Sequence, residues 1–344
     1  MQSEVPIIIP IVPGFFVQNF GCRATQADGA ALERQLATEG LSPANSAFEA
    51  DIVVLNTCTV TAAADQDARA AIRRIHRENP DAKIMVTGCY AQRAPHELAA
   101  LSGVTWVVGN SHKHQAAEIA ASHVSLDDVS LDEVSLRDVS QHDAPRNFVS
   151  LETVGLSVPA FTLVGDIFAH TELIAAPVFA GDGISEKTRP NLKVQDGCDN
   201  RCSFCIIPSV RGQSRSMKLD RVIAETNALV AAGYREIVLS GINLGRWGRD
   251  FQPQLRFEQL VRALLEHTSI EKVRVSSVEP MDWSDELIAL VAGSPRIARH
   301  AHVPLQSGSD RILRRMHRKY RRGTTRRRSE RSMKPCPMRP SAPM

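Results

Sequence analysis

The sequence predicts an α/β protein built from two successive series of alternating strands and helices. Short, apolar, strand-like segments alternate with helix-like segments over residues 15–110, and a second alternation begins at Leu192. Uninterrupted apolar strands of this kind are typical of parallel sheets that helices cover on both faces. At 344 residues, the chain is long enough for two domains with separate cores. We therefore predict a parallel α/β domain followed by a partial (β/α) barrel that is incomplete at its C-terminus.

Each of the first three predicted strands ends in a cysteine. The segments FFVQNFGC, DIVVLNTC and AKIMVTGC end at Cys22, Cys58 and Cys89. In an open α/β sheet, ligands bind in the crevice beyond the carboxyl ends of the strands. Three cysteines at equivalent strand ends therefore predict one shared site, although three small buried residues would give the same pattern. The closing strand is TWVVGN, and we expect helices near residues 27–39, 62–78 and 95–101.

Residues 113–188 form the least regular part of the sequence. A five-residue repeat, VSLDD VSLDE VSLRD VSQHD, starts at Val124. A period of five matches neither a helix face nor a strand face, and four short copies are too few for a solenoid that buries a core. We therefore expect a first domain over residues 1–112 and a linker or insertion over residues 113–188.

The second series predicts the partial barrel over residues 189–320. The strand LKVQDGC is followed by EIVLSGIN, KVRVSSVEP and AHVPLQSGSD, with helices expected near residues 219–232, 257–267 and 284–291. Successive βα units indicate a parallel barrel, whose chemistry lies at the carboxyl ends of its strands. Polar residues and glycines gather at those ends, namely Cys198, Gly241 to Asn243, Ser277 to Glu279, and Gln306 to Ser309.

Composition and charge indicate a soluble globular chain. Hydrophobic residues make up 43% of the sequence and charged residues 23%. The apolar start VPIIIPIV has no basic residues before it, is broken by prolines and is too short to span a membrane. We expect no membrane association and a cytoplasmic location. In that compartment seven cysteines more often bind metal or do chemistry than form disulfides.

The segment GCDNRCSFC brings three cysteines together with the spacing CxxxCxxC. They are Cys198, Cys202 and Cys205. A structural zinc site would need a second Cys or His pair at a suitable distance, and an ordinary ferredoxin cluster would need a fourth cysteine. A cluster held by three thiolates, with one iron open to another ligand, is the remaining option. Zinc stays the less favoured alternative.

This segment, on the loop after a first barrel strand, resembles the signature of the radical S-adenosylmethionine superfamily. An aromatic residue before the third cysteine, here Phe204, is part of that pattern. The resemblance implies that the open iron chelates S-adenosylmethionine and that one electron cleaves it to a 5′-deoxyadenosyl radical. It also implies cofactor-binding roles for Phe204, Gly241, Asn243, Glu279 and Gln306, although strand-end hydrogen bonding would explain the last four equally well.

Two arginines follow the same segment, in VRGQSRS. Arg211 and Arg215 are candidates for a contact with a phosphate or with the cofactor carboxylate. An ordinary solvated loop is the alternative interpretation.

Motifs in the first series resemble the methylthiotransferase family. They are NFGCRATQADG, VVLNTCTVTAAADQDARAAIRR and IMVTGCYAQ, and the likeness covers about residues 15–110 and 190–320. The resemblance implies a flavodoxin-like first domain in which Cys22, Cys58 and Cys89 hold an auxiliary cluster. It implies two 4Fe-4S clusters and S-adenosylmethionine as cofactors, with Cys198, Cys202 and Cys205 in the catalytic centre.

Within that family, the motifs look most like the branch that adds a methylthio group to C2 of N6-threonylcarbamoyladenosine beside the tRNA anticodon. The implied partners are a tRNA substrate and a low-potential electron donor of the flavodoxin or ferredoxin type. A branch acting on isopentenyladenosine in tRNA, or on an aspartate of a ribosomal protein, is an alternative. A non-catalytic metal-binding protein that binds RNA is a third.

The likeness stops near Tyr320. Residues 321–344 contain seven Arg and one Lys against one Glu, a net charge of +7, whereas the whole chain has a net charge of +3. We expect these residues to form a basic disordered tail in place of the last barrel units and an RNA-binding TRAM domain. An incomplete barrel of this kind would impair the methylthiotransferase activity that the resemblance implies. Because Lys and Arg runs bind phosphates, a nucleic-acid-binding arm is the alternative.

Overall fold

The computed structural model describes residues 12–127, 160–169, 189–324 and 326. These residues form two sheets, one of six strands and one of four, with helices packed against each. The α/β class predicted from the sequence is confirmed.

The first sheet contains six strands that all run parallel. They are β1 (Gly14–Asn19), β2 (Ser42–Pro43), β3 (Ile52–Thr57), β4 (Lys83–Gly88), β5 (Val104–Gly109) and β6 (Phe161–Leu163). Their spatial order is β2-β1-β3-β4-β5-β6, which is the flavodoxin-like order with one strand added at an edge. The direction of winding reverses between β1 and β3, so a crevice is expected beyond the carboxyl ends of these two strands.

The helices of the first domain follow from local signals in the sequence. They are α1 (Arg23–Thr38), α2 (Ala62–Glu78), α3 (Cys89–Arg93), α4 (Pro95–Ala99) and α5 (Ala116–Asp127). In α2, the Thr61 side chain accepts a hydrogen bond from the Ala64 N–H at 3.2 Å and caps the helix. Ala68, Ile72 and Ile75 then recur at helical spacing and are buried against the sheet.

Two helix boundaries differ from the predictions. Helix α1 begins at Arg23, directly after Cys22, whereas the sequence placed its start near residue 27. Helix α3 was not predicted, because five residues are too few to show a helical period. Both differences place the start of a helix directly at a cysteine.

The expected linker over residues 113–188 contains secondary structure that belongs to the first domain. A 3₁₀ turn spans Lys113–Gln115, α5 follows it, and β6 pairs with β5 at the edge of the sheet. The Lys113 side chain is only 1% exposed, because it pairs with a buried aspartate. The first domain therefore extends beyond residue 112. Much of the five-residue repeat lies outside the described residues.

The second sheet contains four strands. They are β7 (Asn191–Asp196), β8 (Arg215–Ser216), β9 (Glu236–Gly241) and β10 (Lys272–Val275), in the spatial order β10-β9-β7-β8. Strands β7, β9 and β10 are parallel, and the short β8 runs antiparallel to β7. The accompanying helices are α6 (Ile207–Arg211), α7 (Leu219–Ala231), α8 (Phe257–His267), α9 (Asp285–Gly293) and α10 (Asp310–Arg315).

The predicted fourth barrel strand over AHVPLQSGSD is wrong as a continuous strand. The described chain makes one isolated parallel bridge there, Ser277 with His302, and another just before it, Val273 with Ile297. In this segment Pro304 removes a backbone donor, and Gly308 weakens the regularity that a ladder needs. The second domain nevertheless has its own core, which includes the buried Trp247, Phe257 and Trp283, and it forms the partial barrel that the sequence predicted.

The two domains are in direct contact. Helix α1 of the first domain lies against β7 and β9 of the second, and α3 packs against α6. Helices α1, α3 and α6 start at, or shortly after, a cysteine of the predicted sites. None of the helices that the structure describes is both long enough and apolar enough to cross a membrane.

Candidate metal centres and their shared interface

The first three cysteines lie at the carboxyl ends of neighbouring strands. Cys22 follows β1 and is exposed, Cys58 follows β3 and is buried, and Cys89 follows β4 and is buried. Strands β1 and β3 flank the reversal of winding, and β4 is the next strand in the sheet. The fold thus brings these cysteines to the edge where ligands bind in open α/β sheets.

Two glycines let the chain approach closely around Cys58. Gly21 has φ of +99°, and a Cβ added to it would lie 2.5 Å from the Cys58 Cβ and 2.8 Å from its Sγ. Gly88 also has φ of +99°, and its Cβ would lie 2.3 Å from the Thr57 carbonyl oxygen. The residues that precede Cys22 and Cys89 therefore have no room for a side chain, and glycine accepts this backbone conformation at little cost.

The thiols of this first site influence one another. Burial raises the pKa of the Cys58 thiol, the Val60 N–H opposes that shift, and the neighbouring Cys89 and Cys22 raise the pKa further. A buried thiol that resists ionisation, as Cys58 does, is stabilised as a thiolate when a metal binds it, because the cation supplies the missing positive charge.

The second three-cysteine set occupies the loop between β7 and α6. Cys198, Cys202 and Cys205 are all partly buried, and the Cys205 N–H donates to the Cys202 carbonyl at 3.1 Å. The Cys198 Sγ accepts hydrogen bonds from the Asn200 N–H at 3.4 Å and from the Asn243 Nδ2 at 3.6 Å. Burial raises the pKa of the Cys198 thiol, and these two donors oppose the shift.

The arrangement of the thiols decides whether each cysteine set fits a single metal ion or an iron–sulfur cluster. Within the described part of the chain, no group of three His, Cys, Asp or Glu side chains is arranged to hold a single metal ion. An iron–sulfur cluster bonds each thiolate to a different iron, so its ligands need not converge on one point. Three soft thiolates with nearby N–H donors are the ligand chemistry that such clusters use.

Asn243 is the predicted cofactor residue with the clearest place in the site. Its N–H donates to the Gln195 Oε1 at 2.7 Å, and its Nδ2 reaches Cys198. Its Oδ1 is buried and has no hydrogen-bond partner among the described residues. Gly241 ends β9 with its Cα beside Gln195, where a Cβ would lie 3.0 Å from the same Oε1. A buried amide oxygen without a partner next to a cysteine suits a ligand that donates hydrogen bonds.

Glu279 is connected to the cysteine loop. Its Oε1 accepts from the Arg318 Nη1 at 2.7 Å, and its Oε2 accepts from the Asn200 Nδ2 at 3.5 Å. Burial raises the pKa of this carboxyl, with Arg318 acting against the shift. Arg318 also lies 5.2 Å from the centre of the Phe204 ring, which is 56% exposed. Sequence reasoning missed Arg318 and Asn200.

Gln306 is the predicted site residue with the weakest connection to the others. Its side chain is exposed, and it contacts the rest of the segment through its backbone, where its N–H donates to the Tyr320 hydroxyl at 3.3 Å. That hydroxyl also contacts the Pro304 carbonyl.

Arg211 is buried, and its two terminal nitrogens bond to protein carboxylates, which corrects both interpretations of the sequence. Its side chain is 2% exposed, and its Nη1 donates to both carboxylate oxygens of Asp196 at 3.0 and 3.1 Å. Its Nη2 donates to Asp28 in the other domain at 3.1 Å. Arg215 is partly buried, and its Nη2 donates to the Arg211 carbonyl at 2.9 Å. Both arginines therefore donate hydrogen bonds to groups of the protein itself.

Arg211 belongs to a set of five charged residues that we call the interdomain charge cluster: Asp28, Lys113, Lys193, Asp196 and Arg211. Lys193 donates to Asp28 and, at 2.9 Å, to Asp196, while Lys113 donates to Asp28 at 3.2 Å. Burial would raise the pKa of Asp28, but the three cations hold it below its ordinary value. Lys193 and Asp196 lie in the buried strand β7, and their presence there was the sequence signal for buried ion pairs.

Comparison with known proteins assigns both halves of the chain. Residues 14–109 match the family model described as "Uncharacterized protein family UPF0004", and residues 192–334 match the model described as "Radical SAM superfamily". Two solved structures of the radical S-adenosylmethionine methyltransferase TsrM from Kitasatospora setae share the fold. One, with tryptophan and a SAM analogue bound, has a TM-score of 0.60 at 16% identity, covering 92% of this chain and 65% of that one.

Curated relatives match along most of this chain. A protein named "Threonylcarbamoyladenosine tRNA methylthiotransferase MtaB" from Bacillus subtilis is 35% identical, covering 88% of this chain and 59% of its own length. The protein of that name from Aquifex aeolicus is 34% identical, covering 84% and 62%. A "tRNA-2-methylthio-N(6)-dimethylallyladenosine synthase" from Syntrophobacter fumaroxidans is 32% identical, covering 89% and 60%. The chain thus spans about three fifths of the length of these relatives.

Proposed function

We propose that this chain, which belongs to the proteins that join a UPF0004 domain to a radical SAM domain, is a tRNA-modifying radical SAM methylthiotransferase. The observation that carries the proposal is the presence of two three-cysteine sets at the carboxyl ends of two packed sheets. Helix α3 starts at Cys89, α6 starts two residues after Cys205, and these two helices are in contact. Each set therefore lies close to the same interface.

In this proposal Cys198, Cys202 and Cys205 hold a 4Fe-4S cluster whose open iron takes S-adenosylmethionine. The bound cofactor supplies the one-electron chemistry needed to remove a hydrogen from an unactivated carbon. Asn243 supports this role, because its buried Oδ1 has no partner among the described residues and would accept a hydrogen bond from a ligand amino group. Gly241 lets the end of β9 lie close against Gln195, whose Oε1 accepts the Asn243 N–H and so holds Asn243 in place.

The remaining candidates shape the same site. Arg318 orients the Glu279 carboxylate through a 2.7 Å contact, so that Glu279 accepts hydrogen bonds in a fixed direction. Phe204 presents an exposed ring that suits stacking on an aromatic group. Gln306 would reach the ligand from the exposed side of the last described barrel segment.

Cys22, Cys58 and Cys89 hold a second 4Fe-4S cluster in this proposal, and that cluster is the site of the sulfur to be transferred. A methylthio transfer needs two separate centres, because one removes the hydrogen and the other presents the sulfur. A binding protein without catalysis would need neither two cysteine sets nor an open iron. The pairing of the sets across one interface favours the transferase.

For the substrate, we propose C2 of N6-threonylcarbamoyladenosine beside the tRNA anticodon. Four relatives whose names state threonylcarbamoyladenosine tRNA are 31–35% identical to this chain. Relatives named for dimethylallyladenosine are 28–32% identical, which makes that base the second candidate. The proposal includes a low-potential donor of the flavodoxin or ferredoxin type and a cytoplasmic location.

Anaerobic reconstitution of the chain tests the cofactors. Two four-iron clusters correspond to about eight irons per chain. The two triple variants, C22A/C58A/C89A and C198A/C202A/C205A, should each retain about half of that iron. Cleavage of S-adenosylmethionine to 5′-deoxyadenosine should survive in the first variant and vanish in the second. Bound zinc, or about four irons without cleavage, would instead support a non-catalytic metal-binding protein.

Mass spectrometry of tRNA nucleosides tests the substrate. Cells that lack this gene should lose the methylthio form of threonylcarbamoyladenosine, and the gene should restore it. Loss of the methylthio form of isopentenyladenosine would instead assign the second candidate. An unchanged nucleoside profile would reject both tRNA substrates.

A further inference from the structure

The interdomain charge cluster contains more positive than negative groups. Three cations face two carboxylates, a net charge of +1 in their ionised forms. Every member is buried, with side chains between 1% and 10% exposed. An uncompensated charge in such a place is strongly destabilising. A further negative group nearby would therefore stabilise the interdomain charge cluster.

One route from the cluster leads to Cys22. The Arg211 Nη2 lies 3.4 Å from the Thr25 Oγ1, and that hydroxyl lies 3.5 Å from the Cys22 Sγ. Thr25 is fully buried. The Arg211 Nε is also buried, and it has no hydrogen-bond partner among the residues that the structure describes. Arg211 thus approaches the first site with donor capacity left over.

A second route leads to Cys89. The Asn110 Nδ2 lies 3.6 Å from the Cys89 Sγ, and it donates to the Val210 carbonyl at 2.7 Å. Val210 directly precedes Arg211 in α6. Two thiols of the first site are therefore each joined to α6 of the second domain by a single bridging side chain.

We propose that filling the first site with an anionic iron–sulfur cluster locks the second domain onto the first, and that Arg211 is the positioning residue that couples the two events. The inference rests on the proposed function only in placing a cluster at Cys22, Cys58 and Cys89. Metal-bound thiolates carry negative charge, and that charge would balance the surplus positive charge of the interdomain charge cluster. A group that binds the docked arrangement better than the open one must stabilise the docked arrangement.

The coupling has a structural benefit for a two-centre reaction. The domain that carries Cys198, Cys202 and Cys205 becomes firmly placed only when the first site is loaded. Without the iron–sulfur cluster at the first site, the surplus positive charge weakens the interface between the domains. Helix α6 then separates more readily from α1 and α3. Loading of the first site and alignment of the two sites are thereby linked.

Hydrogen–deuterium exchange of the full chain tests the proposal. Amide exchange over residues 207–216 is compared between the apo protein and the anaerobically reconstituted protein, without tRNA or S-adenosylmethionine. We expect reconstitution to slow this exchange at least tenfold in the wild type and in the C198A/C202A/C205A variant. The C22A/C58A/C89A variant should show no slowing. Equal exchange before and after loading, or slowing that follows the second site, would overturn the proposal.

Substitutions at the bridge separate coupling from general stability. Arg211→Met should abolish the slowing, and Arg211→Lys should retain part of it because the charge remains. If Arg211→Met does not fold, Thr25→Val removes the hydroxyl that joins Arg211 to Cys22 while keeping the shape. The matched control is Thr226→Val, since Thr226 is equally buried and its hydroxyl donates to the Val222 carbonyl of its own helix.

Thr25→Val should reduce the slowing several-fold, and Thr226→Val should leave it unchanged. Equal effects of the two variants would reject the bridge. Iron analysis of the same samples distinguishes this inference from the proposed function. Iron at the first site without any change in exchange overturns the coupling alone, whereas absence of iron there overturns both.

Discussion

The Arg211 guanidinium donates to the Asp28 carboxylate at 3.1 Å, although 183 residues separate them along the chain. Asp28 lies in the helix that begins after Cys22, and Arg211 lies in the helix that follows Cys205. The ion pair therefore connects the two cysteine sets as well as the two domains. Its burial makes it costly to break, because water cannot replace either partner.

Asp28→Asn should destabilise the chain strongly. The substitution keeps the shape but leaves Lys113, Lys193 and Arg211 facing a single carboxylate in a buried interface. Removal of one partner from a buried ion pair costs about 3–5 kcal/mol of unfolding free energy. Urea unfolding, followed by circular dichroism, measures the change.

Glu286→Gln provides the matched control. Glu286 pairs with Arg262 on the surface, where both side chains are about half exposed. An exposed pair of this kind contributes at most about 1 kcal/mol. A loss for Asp28→Asn as small as the loss for Glu286→Gln would show that the charge cluster does not hold the domains together.

The contribution of the charge cluster should depend on pH at the acidic end. Lys113, Lys193 and Arg211 outweigh burial and hold the pKa of Asp28 below its ordinary value, and Lys193 and Arg211 do the same for Asp196. A carboxyl with a lowered folded pKa stabilises the protein fully above its unfolded pKa, about 3.9. That stabilisation is lost as the pH falls below this value and through the folded pKa.

The difference in unfolding free energy between the wild type and Asp28→Asn should accordingly be constant from about pH 7 to pH 5 and shrink below about pH 4. Unfolding curves at several pH values measure it. A difference that instead shrinks between pH 5 and pH 7 would contradict the lowered pKa of Asp28.

Gly21→Ala should impair the first cysteine site selectively. The new Cβ would lie 2.5 Å from the Cys58 Cβ, and the backbone has φ of +99°. The clash displaces Cys58, so we expect the iron content after reconstitution to fall from about eight to about four per chain. Cleavage of S-adenosylmethionine at the second site should persist.

Gly40→Ala separates the clash from backbone strain. Gly40 has a similar φ of +89°, but nothing lies within 4 Å of its added Cβ. Both variants bear a left-handed backbone penalty of about 1–2 kcal/mol. Only Gly21→Ala should lose iron, and equal iron loss in both would mean that strain alone is responsible.

Asn243→Ala should weaken the binding of S-adenosylmethionine at least about tenfold. The substitution removes the buried Oδ1 that has no partner among the described residues, and a hydrogen bond to a charged group contributes about 1.5–3 kcal/mol. Anaerobic binding to the reconstituted protein measures it. Asn227→Ala, at an exposed helix position whose Nδ2 reaches the His267 carbonyl, should bind normally. Unchanged binding in both variants would remove Asn243 from the cofactor site.

Helices and strands were predictable from the sequence where the signal is local and long. Helix α2 spans the residues expected for it, because a capping threonine and regularly spaced apolar residues mark both its start and its buried face. Strand β6 was not predictable, because it has three residues and gains its stability from β5, more than fifty residues earlier. Short elements depend on their partners rather than on their own sequence.

The candidate site also has a part that the sequence predicts and a part that it does not. The cysteine spacings and their places after predicted strands pointed to both candidate metal sites. The partners of those cysteines came from elsewhere in the chain: Asn110 reaches Cys89, Asn243 reaches Cys198, and Thr25 links Cys22 to Arg211. The sequence favours a solvent- or ligand-facing Arg211, because charged residues are usually exposed.

The sequence by itself determined the two α/β units, their order, and the two cysteine sets, one at three strand ends and one on the loop after β7. These features follow from side-chain periodicity and from spacing along a covalent chain. Only the tertiary structure decided that Asp28, Lys113, Lys193, Asp196 and Arg211 meet in one buried interface. Ion pairs between residues 85 to 183 positions apart leave no local pattern, because their energy depends on burial and distance in space.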